Sequence, residues 1–181
     1  MADPEPAAAG WDRGRRLAID VGSVRVGVAS CDPDGILATP VETVQRAKKN
    51  HAQAPDIRRI AALVDEYEAV AVIVGLPRTL RGTEGKATAT VRAFARVLEG
   101  VIAPVPVLFA DERFSTVTAQ QSLHRSGVDT RRGRSVIDQA AAVAILQDWL
   151  ERAKAAAAAA DAGAAGTRGT RPGSDDAEDG Q

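Results

Sequence analysis

The feature that most constrains this chain is an apolar run, Leu17 to Gly22, that contains one carboxylate, Asp20. A second β-like stretch, residues 25–30, follows at once, and Gly22 with Ser23 can supply a tight turn between the two. The pattern predicts a β-hairpin with Asp20 close to its turn. A charge in such a strand is costly to desolvate unless a cation or hydrogen-bond donors compensate it. Asp20 is therefore either a turn residue or part of a functional site.

Asp138 is predicted to lie on the packed face of the last helix. With successive residues 100° apart, it falls within about 40° of three apolar positions, Ala142, Ile145 and Trp149. Carboxylates are rarely left unpaired on such a face. A favourable interaction with the helix N-terminus would explain where Asp138 lies along the helix, but not which face it occupies. We therefore interpret Asp138 as a candidate functional residue.

A third acidic position follows the apolar run 105–110, where Asp111 and Glu112 are adjacent. Neighbouring residues of an extended chain point to opposite faces, so only one of the two can share a site with Asp20. The other can cap the turn or pair with Arg113. Three carboxylates that close or flank core elements predict a divalent-metal site, and their hard oxygen donors favour Mg²⁺ or Mn²⁺.

The remaining composition excludes several other kinds of site. Cys31, His51 and His124 are the only soft-ligand side chains, too few for a zinc site or for a credible Ser-His-Asp or Cys-His centre. The single cysteine also excludes a disulfide framework and suits a reducing compartment. No apolar run reaches the roughly 18 residues that span a bilayer. Residues 1–15 lack the apolar core of a secretory signal, so we expect a cytoplasmic protein without a membrane partner.

The net charge of −1 conceals an uneven distribution of charge. Residues 15–152 hold 19 Lys and Arg against 16 Asp and Glu, whereas the two tails hold four basic and eight acidic residues. A basic central region permits nucleic acid as a partner. The candidate phosphate-binding residues are Arg25, Arg78, Arg81, Lys86, Arg113, Arg131, Arg132 and Arg134. Aromatic residues are too few for a base-stacking platform, so recognition of backbone and shape is expected.

The order of predicted elements indicates an α/β fold with a mixed sheet. Three strands are predicted first, at 16–21, 25–30 and about 37–44. A helix with Asp56 as its N-cap, a strand at 69–75, a helix carrying Val91 and Phe94, and a strand at 105–110 follow. A short helix from Ser115 or Thr116 to Leu123 then precedes a long helix from about Ser135. The first strands would form an antiparallel meander, with Pro40 favouring an edge, and the later ones parallel crossovers. Residues 15–152 are predicted as one domain, residues 1–14 as a disordered tail, and residues 153–181 as an Ala-rich and then acidic low-complexity tail.

Four segments together resemble the YqgF/RuvX family of bacterial proteins. They are residues 19–29 (Ile-Asp-Val-Gly to Gly-Val-Ala), 73–84 (Ile-Val-Gly-Leu-Pro to Gly-Thr-Glu), 111–116 (Asp-Glu-Arg-Phe-Ser-Thr) and 138–142 (Asp-Gln-Ala-Ala-Ala). The resemblance covers about Arg16 to Leu150 and implies an RNase H-like fold, with five strands in a mixed sheet and flanking helices. It maps Asp20, Glu112 and Asp138 onto the acidic residues that bind a divalent metal. Asp111, the neighbour of Glu112, is kept as its substitute. The strand ending at residues 75–77 lacks an acid that related enzymes carry there.

The resemblance implies a metal-dependent endonuclease that processes the 5′ end of pre-16S rRNA in ribosome biogenesis. The alternative is a Holliday junction resolvase acting on branched DNA, for which a two-fold substrate would favour a homodimer. A non-catalytic nucleic-acid-binding module is a third hypothesis, based on the missing acid near Gly75. A fourth is an actin-like phosphate-binding protein, because Asp-Val-Gly-Ser followed by Gly-Val-Ala is similar to that phosphate loop. Such proteins need a second lobe, which this chain lacks.

Overall fold

The computed structural model describes residues 12–77, 85–111 and 131–166. Within these ranges the chain forms five strands and three helices. In chain order they are β1 (Arg16–Val21), β2 (Arg25–Cys31), β3 (Ala38–Gln45), α1 (Pro55–Glu66), β4 (Ala71–Leu76), α2 (Lys86–Ile102), β5 (Val107–Asp111) and α3 (Arg131–Gly166). This succession agrees with the predicted order in the described ranges, and the short helix predicted to end at Leu123 lies outside them.

The strands form one mixed sheet in the order β3-β2-β1-β4-β5. β1 pairs antiparallel with β2, and β2 pairs antiparallel with β3, whereas β4 is parallel to both β1 and β5. The predicted antiparallel meander with parallel crossovers is therefore confirmed. Because β1, β4 and β5 run in the same direction, their carboxyl ends lie at one end of the sheet. Asp20 is next to last in β1 and so lies at that end.

The two faces of the sheet differ in the size of their side chains, which follows from the alternation of residues along each strand. One face carries large aliphatic residues, such as Leu17 and Ile19, and packs against α1 and α2. The other face, which packs against α3, carries Ile73 and Leu108 but otherwise small residues. The small residues include Ala18, Ala29, Ala71 and Ala110. Small side chains let a helix approach the strands closely, so α3 lies near the backbone of the sheet.

Pro40 lies on an edge strand, as its missing N–H requires. β3 pairs with only one neighbour, β2, and Ala29 is opposite Pro40 while Val28 is opposite Glu42. This leaves Val41 as the extra residue of a β-bulge. The bulge interrupts the ladder beside the proline.

The predicted N-cap of α1 is wrong. The cap is Ala54, Pro55 is the first helical residue, and Asp56 follows it inside the first turn. A proline is favourable at that first position because its missing N–H would have no helical partner. The Asp56 carboxylate is instead buried and accepts hydrogen bonds from Ala47 N (3.0 Å) and Ile57 N (3.0 Å).

β4 begins at Ala71, two residues later than predicted, because the end of α1 uses the preceding residues. Glu68 has φ +47°. Its N–H bonds to Asp65 O (3.1 Å), and Ala69 N bonds to Val64 O (2.9 Å). These two bonds form a Schellman motif, in which the left-handed position is usually a glycine.

α3 extends from Arg131 to Gly166 and so includes the Ala-rich segment 153–160. Ala153 and Ala157 are buried, so packing continues into that segment. In the parts of the chain that the structure describes, no helix combines the length and apolarity needed to cross a bilayer.

Candidate metal centre and nucleic-acid surface

Asp20 lies immediately before a tight hairpin turn, as the sequence predicts. Gly22 N donates a hydrogen bond to Arg25 O (2.9 Å), which closes the turn between β1 and β2. A Cβ at position 22 would lie 2.7 Å from that oxygen, so only glycine fits there without a shift. Asp20 follows Ala18 by two residues and therefore projects from the face of β1 that α3 covers. Its side chain is partly exposed.

Asp138 is brought to Asp20 by a close contact between α3 and β2. Gly27 is the partner of Asp20 in the antiparallel ladder, so their Cα atoms are about 5 Å apart. A Cβ on Gly27 would lie 2.0 Å from the Asp138 carbonyl oxygen. The backbone of α3 at Asp138 thus contacts the residue that faces Asp20. The backbones of Asp20 and Asp138 therefore both lie next to Gly27, near the carboxyl end of β1.

Arg25 forms an ion pair with Asp138. Its Nε lies 2.6 Å from Asp138 Oδ2, and the two side chains are 24% and 22% exposed. Arg25 and Gly27 are two residues apart in β2, so both project toward α3. The sequence predicts Arg25 as a phosphate contact, whereas here its guanidinium compensates the charge of a predicted metal ligand. Sequence reasoning missed this pair because its members are 113 positions apart.

A further polar contact fixes α3 beside the same site. Gln139 Nε2 donates to Thr43 Oγ1 of β3 (3.2 Å). Thr43 is opposite Gly27 in the β2–β3 ladder. The helix is therefore held to two adjacent strands within one residue of Asp138.

The third predicted ligand lies outside the described residues. The strand that precedes it is β5, whose last residue, Asp111, pairs with Leu76 at the end of β4. The carboxyl end of β5 thus lies at the same end of the sheet as that of β1. Within the described ranges, no group of three Asp, Glu, His or Cys residues is close enough to hold a metal ion. Asp20 and Asp138 supply two of the three predicted carboxylates, and Glu112 would be the other.

The predicted phosphate contacts are only partly described. Lys86 is exposed at the first position of α2, which begins at the site end of the sheet. The backbone of Arg131, Arg132 and Arg134 forms the first turn of α3, seven to four residues before Asp138. Arg78, Arg81 and Arg113 lie outside the described ranges.

The described residues fit a divalent cation in donor type and charge. Asp20 and Asp138 offer carboxylate oxygens, the ligands that Mg²⁺ and Mn²⁺ prefer. Carboxylates that share a site repel one another unless a cation compensates them. Arg25 supplies one positive charge, on the Asp138 side. The arrangement can therefore concentrate cations at one end of the sheet.

Comparisons with known proteins agree on the lineage of the chain. Residues 14–152 match the family model described as "RuvX: Holliday junction resolvase". A Rhodococcus erythropolis protein named "Putative pre-16S rRNA nuclease" is 65% identical over 79% of this chain and 81% of its own length. A Streptomyces avermitilis protein of the same name is 60% identical over 81% of this chain and 92% of its own length.

Among solved structures, RuvC of T. thermophilus in complex with a Holliday junction substrate aligns with a TM-score of 0.50. The sequences are 17% identical, and the alignment covers 80% of this chain and 97% of RuvC. The likeness confirms the predicted RNase H-like fold. With the family model spanning more than three quarters of its length, this chain belongs to the RuvX family.

Proposed function

We propose that this protein is a divalent-metal-dependent endonuclease that cleaves phosphodiester bonds in structured nucleic acid. The observation that carries the proposal is the juxtaposition of Asp20 and Asp138 at the carboxyl end of β1, made possible by Gly27. Membership of the RuvX family and the names of the similar proteins support nuclease activity. The metal, its ligands and the substrate are our inference.

The proposed ligands are Asp20, Asp138 and Glu112. Glu112 is favoured over Asp111 by the alternation of β5. Leu108 and Ala110 pack on the α3 side of the sheet, and Glu112 has the same parity in the sequence. Asp111 has the parity of the residues that pack on the opposite side. Asp111 remains the alternative if the alternation breaks after the strand.

A bound Mg²⁺ or Mn²⁺ would polarise the scissile phosphate and lower the pKa of an attacking water. The chain's own residues determine where this can happen. Gly27 sets the distance between α3 and β2, and Arg25 holds Asp138 through Oδ2. Arg25 thus restricts the rotation of the carboxylate and orients it before a metal binds.

We propose that the substrate is the 5′ end of a pre-16S rRNA, because the similar proteins carry that name. Such a role would be carried out in the cytoplasm. The alternative is resolution of four-way DNA junctions, which the description of the family model favours. Paired cuts in a two-fold junction would require two sites facing two strands, and hence a homodimer.

The test is cleavage by purified wild-type protein and by the Asp20→Asn and Asp138→Asn variants. The amide keeps the shape of each side chain but removes the charge that attracts the cation, so we expect activity to fall by at least about 100-fold. Asp148→Asn is the matched control, because Asp148 lies on the same helix but pairs with Arg152. It should retain wild-type activity.

Each protein is assayed on a pre-16S rRNA fragment and on a four-way DNA junction, with Mg²⁺, Mn²⁺ or EDTA. Metal-dependent cutting of the RNA at a defined position supports rRNA processing. Symmetric paired nicks in the junction, with the RNA intact, would establish the resolvase alternative. Undiminished cleavage by either Asp→Asn variant would refute the proposed metal site.

A further inference from the structure

The loop that follows β3 lies at the same end of the sheet as the candidate metal centre. β3 ends at Gln45, which pairs with Arg25 in the β2–β3 ladder. β3 and β1 are separated by β2 alone, so the start of the loop is about 10 Å from the end of β1. We define the basic loop as residues 46–51, Arg-Ala-Lys-Lys-Asn-His.

The basic loop is fixed by three hydrogen bonds, two from its backbone and one from a side chain. Arg46 N donates to Val24 O in the turn of the β1–β2 hairpin (2.8 Å). Ala47 N donates to the buried Asp56 carboxylate (3.0 Å). Asn50 Nδ2 donates to Ala93 O of α2 (2.8 Å). Because these bonds order the loop in advance, a ligand that binds it would lose less conformational entropy to ordering.

The charges of the basic loop are not balanced within it. Arg46 Nη1 lies 2.9 Å from Asp56 Oδ2, and the two side chains are 9% and 0% exposed, so this pair is neutral and internal. Residues 43–55 contain no acid. Lys48, Lys49 and His51 are all exposed. The loop therefore presents two lysine charges and one imidazole to the solvent beside the site.

The basic loop also continues a surface that already contains a predicted phosphate contact. Asn50 bonds to α2 two turns after Lys86, the exposed first residue of that helix. Lysines on the loop and at the start of α2 thus lie around the same end of the sheet. The sequence signal for this surface is a stretch of 13 residues, 43–55, with basic but no acidic side chains.

We propose that Lys48 and Lys49, assisted by His51, bind phosphates of the nucleic-acid backbone on the β3 side of the metal centre. The proposal rests on the proposed nuclease function and adds a substrate surface to it. Lysine is a flexible point charge suited to phosphate contact without reading bases. The loop would therefore contribute affinity and placement of the substrate but no sequence preference.

The test compares Lys48→Ala/Lys49→Ala with Arg13→Ala/Arg15→Ala. Both double variants remove two positive charges, and Arg13 and Arg15 are exposed residues at the opposite end of β1. Binding of a fluorescent RNA hairpin and of a fluorescent four-way DNA junction is measured in EDTA from 50 to 400 mM KCl. Circular dichroism and melting temperature verify that each variant is folded.

Loss of two phosphate contacts should reduce the slope of log K against log salt by about 1.4–1.8. If affinities converge near 1 M salt, this corresponds to about 25- to 60-fold weaker binding at 0.1 M for Lys48→Ala/Lys49→Ala. The Arg13→Ala/Arg15→Ala protein should stay close to wild type. The RNA and DNA arms show which backbone the loop binds.

Equal slopes and affinities for wild type and the Lys48→Ala/Lys49→Ala protein would overturn the inference while leaving the nuclease proposal intact. Equal losses in the two double variants would also overturn it, because the effect would then be one of net charge. Absence of binding by the wild-type protein to both probes would overturn the inference and the proposed function together.

Discussion

Replacing Gly27 with alanine should separate α3 from the sheet at the candidate metal centre. The added Cβ would lie 2.0 Å from Asp138 O and 2.5 Å from Asp138 C, where ordinary contact begins near 3.4 Å. The helix or the strand must therefore move by roughly 1.4 Å. Both contacting atoms belong to a helical backbone, so no side chain can rotate away to relieve the overlap.

The expected loss of stability follows from that overlap. Overpacking by one carbon typically costs about 1–3 kcal/mol, and a backbone contact places this case at the upper end. Gly→Ala also restricts the unfolded chain, which returns about 0.4–1 kcal/mol. The net loss should be about 2–2.6 kcal/mol, or about 4–10 °C in melting temperature for a domain of this size. Because Asp138 moves away from Asp20, metal-dependent cleavage should fall and require more Mg²⁺.

Thermal melting and Mg²⁺ titration of cleavage test this prediction, with Gly100→Ala as the matched control. A Cβ at Gly100 in α2 meets no atom within 4 Å. Alanine there should be neutral or should stabilise the helix by about 0.5–1 kcal/mol. If Gly27→Ala melts with wild type and keeps its Mg²⁺ dependence, the contact does not set the geometry of the site.

Two further predictions concern buried or partly buried groups. Arg25→Ala leaves Asp138 without its ion-pair partner, so the free energy of unfolding of the metal-free protein should fall by about 1 kcal/mol. Addition of Mg²⁺ should then raise the melting temperature of the variant more than that of wild type. An equal rise in the two proteins would contradict a shared cation site. Burial raises the pKa of the Cys31 thiol, so less thiolate is present at a given pH. Disulfide reagents should therefore label the native protein far more slowly than the urea-unfolded protein. Equal labelling rates at pH 8 would show that Cys31 is accessible.

Local patterns predict much of this fold because they depend on near neighbours in the sequence. The burial of Val91 and Phe94 on α2 follows from helical spacing. Proline chemistry likewise indicates that Pro40 lies on an edge strand. The end of α1 could not be predicted in this way. The left-handed position that ends a helix is usually a glycine, but here it is Glu68.

For the candidate site, sequence reasoning places individual residues but not their partners. Asp20 before its turn and Asp138 on the packed side of α3 follow from strand and helix periodicity. Their juxtaposition through Gly27 and the pairing of Asp138 with Arg25 join distant segments, so no local pattern encodes them. The roles of Asp20, Asp138 and Glu112 as metal ligands remain predictions.

The buried Arg46–Asp56 pair has a consequence for how this protein can change during evolution. A substitution that removes one partner leaves a buried charge, which costs about 3–5 kcal/mol, out of a total stability of about 5–15 kcal/mol. Single substitutions at either position are therefore selected against, and replacement of the pair requires both residues to change together. Lys48 and Lys49 are exposed and carry no such penalty. The charge of the basic loop can thus change during evolution while the Arg46–Asp56 pair that holds the loop is kept.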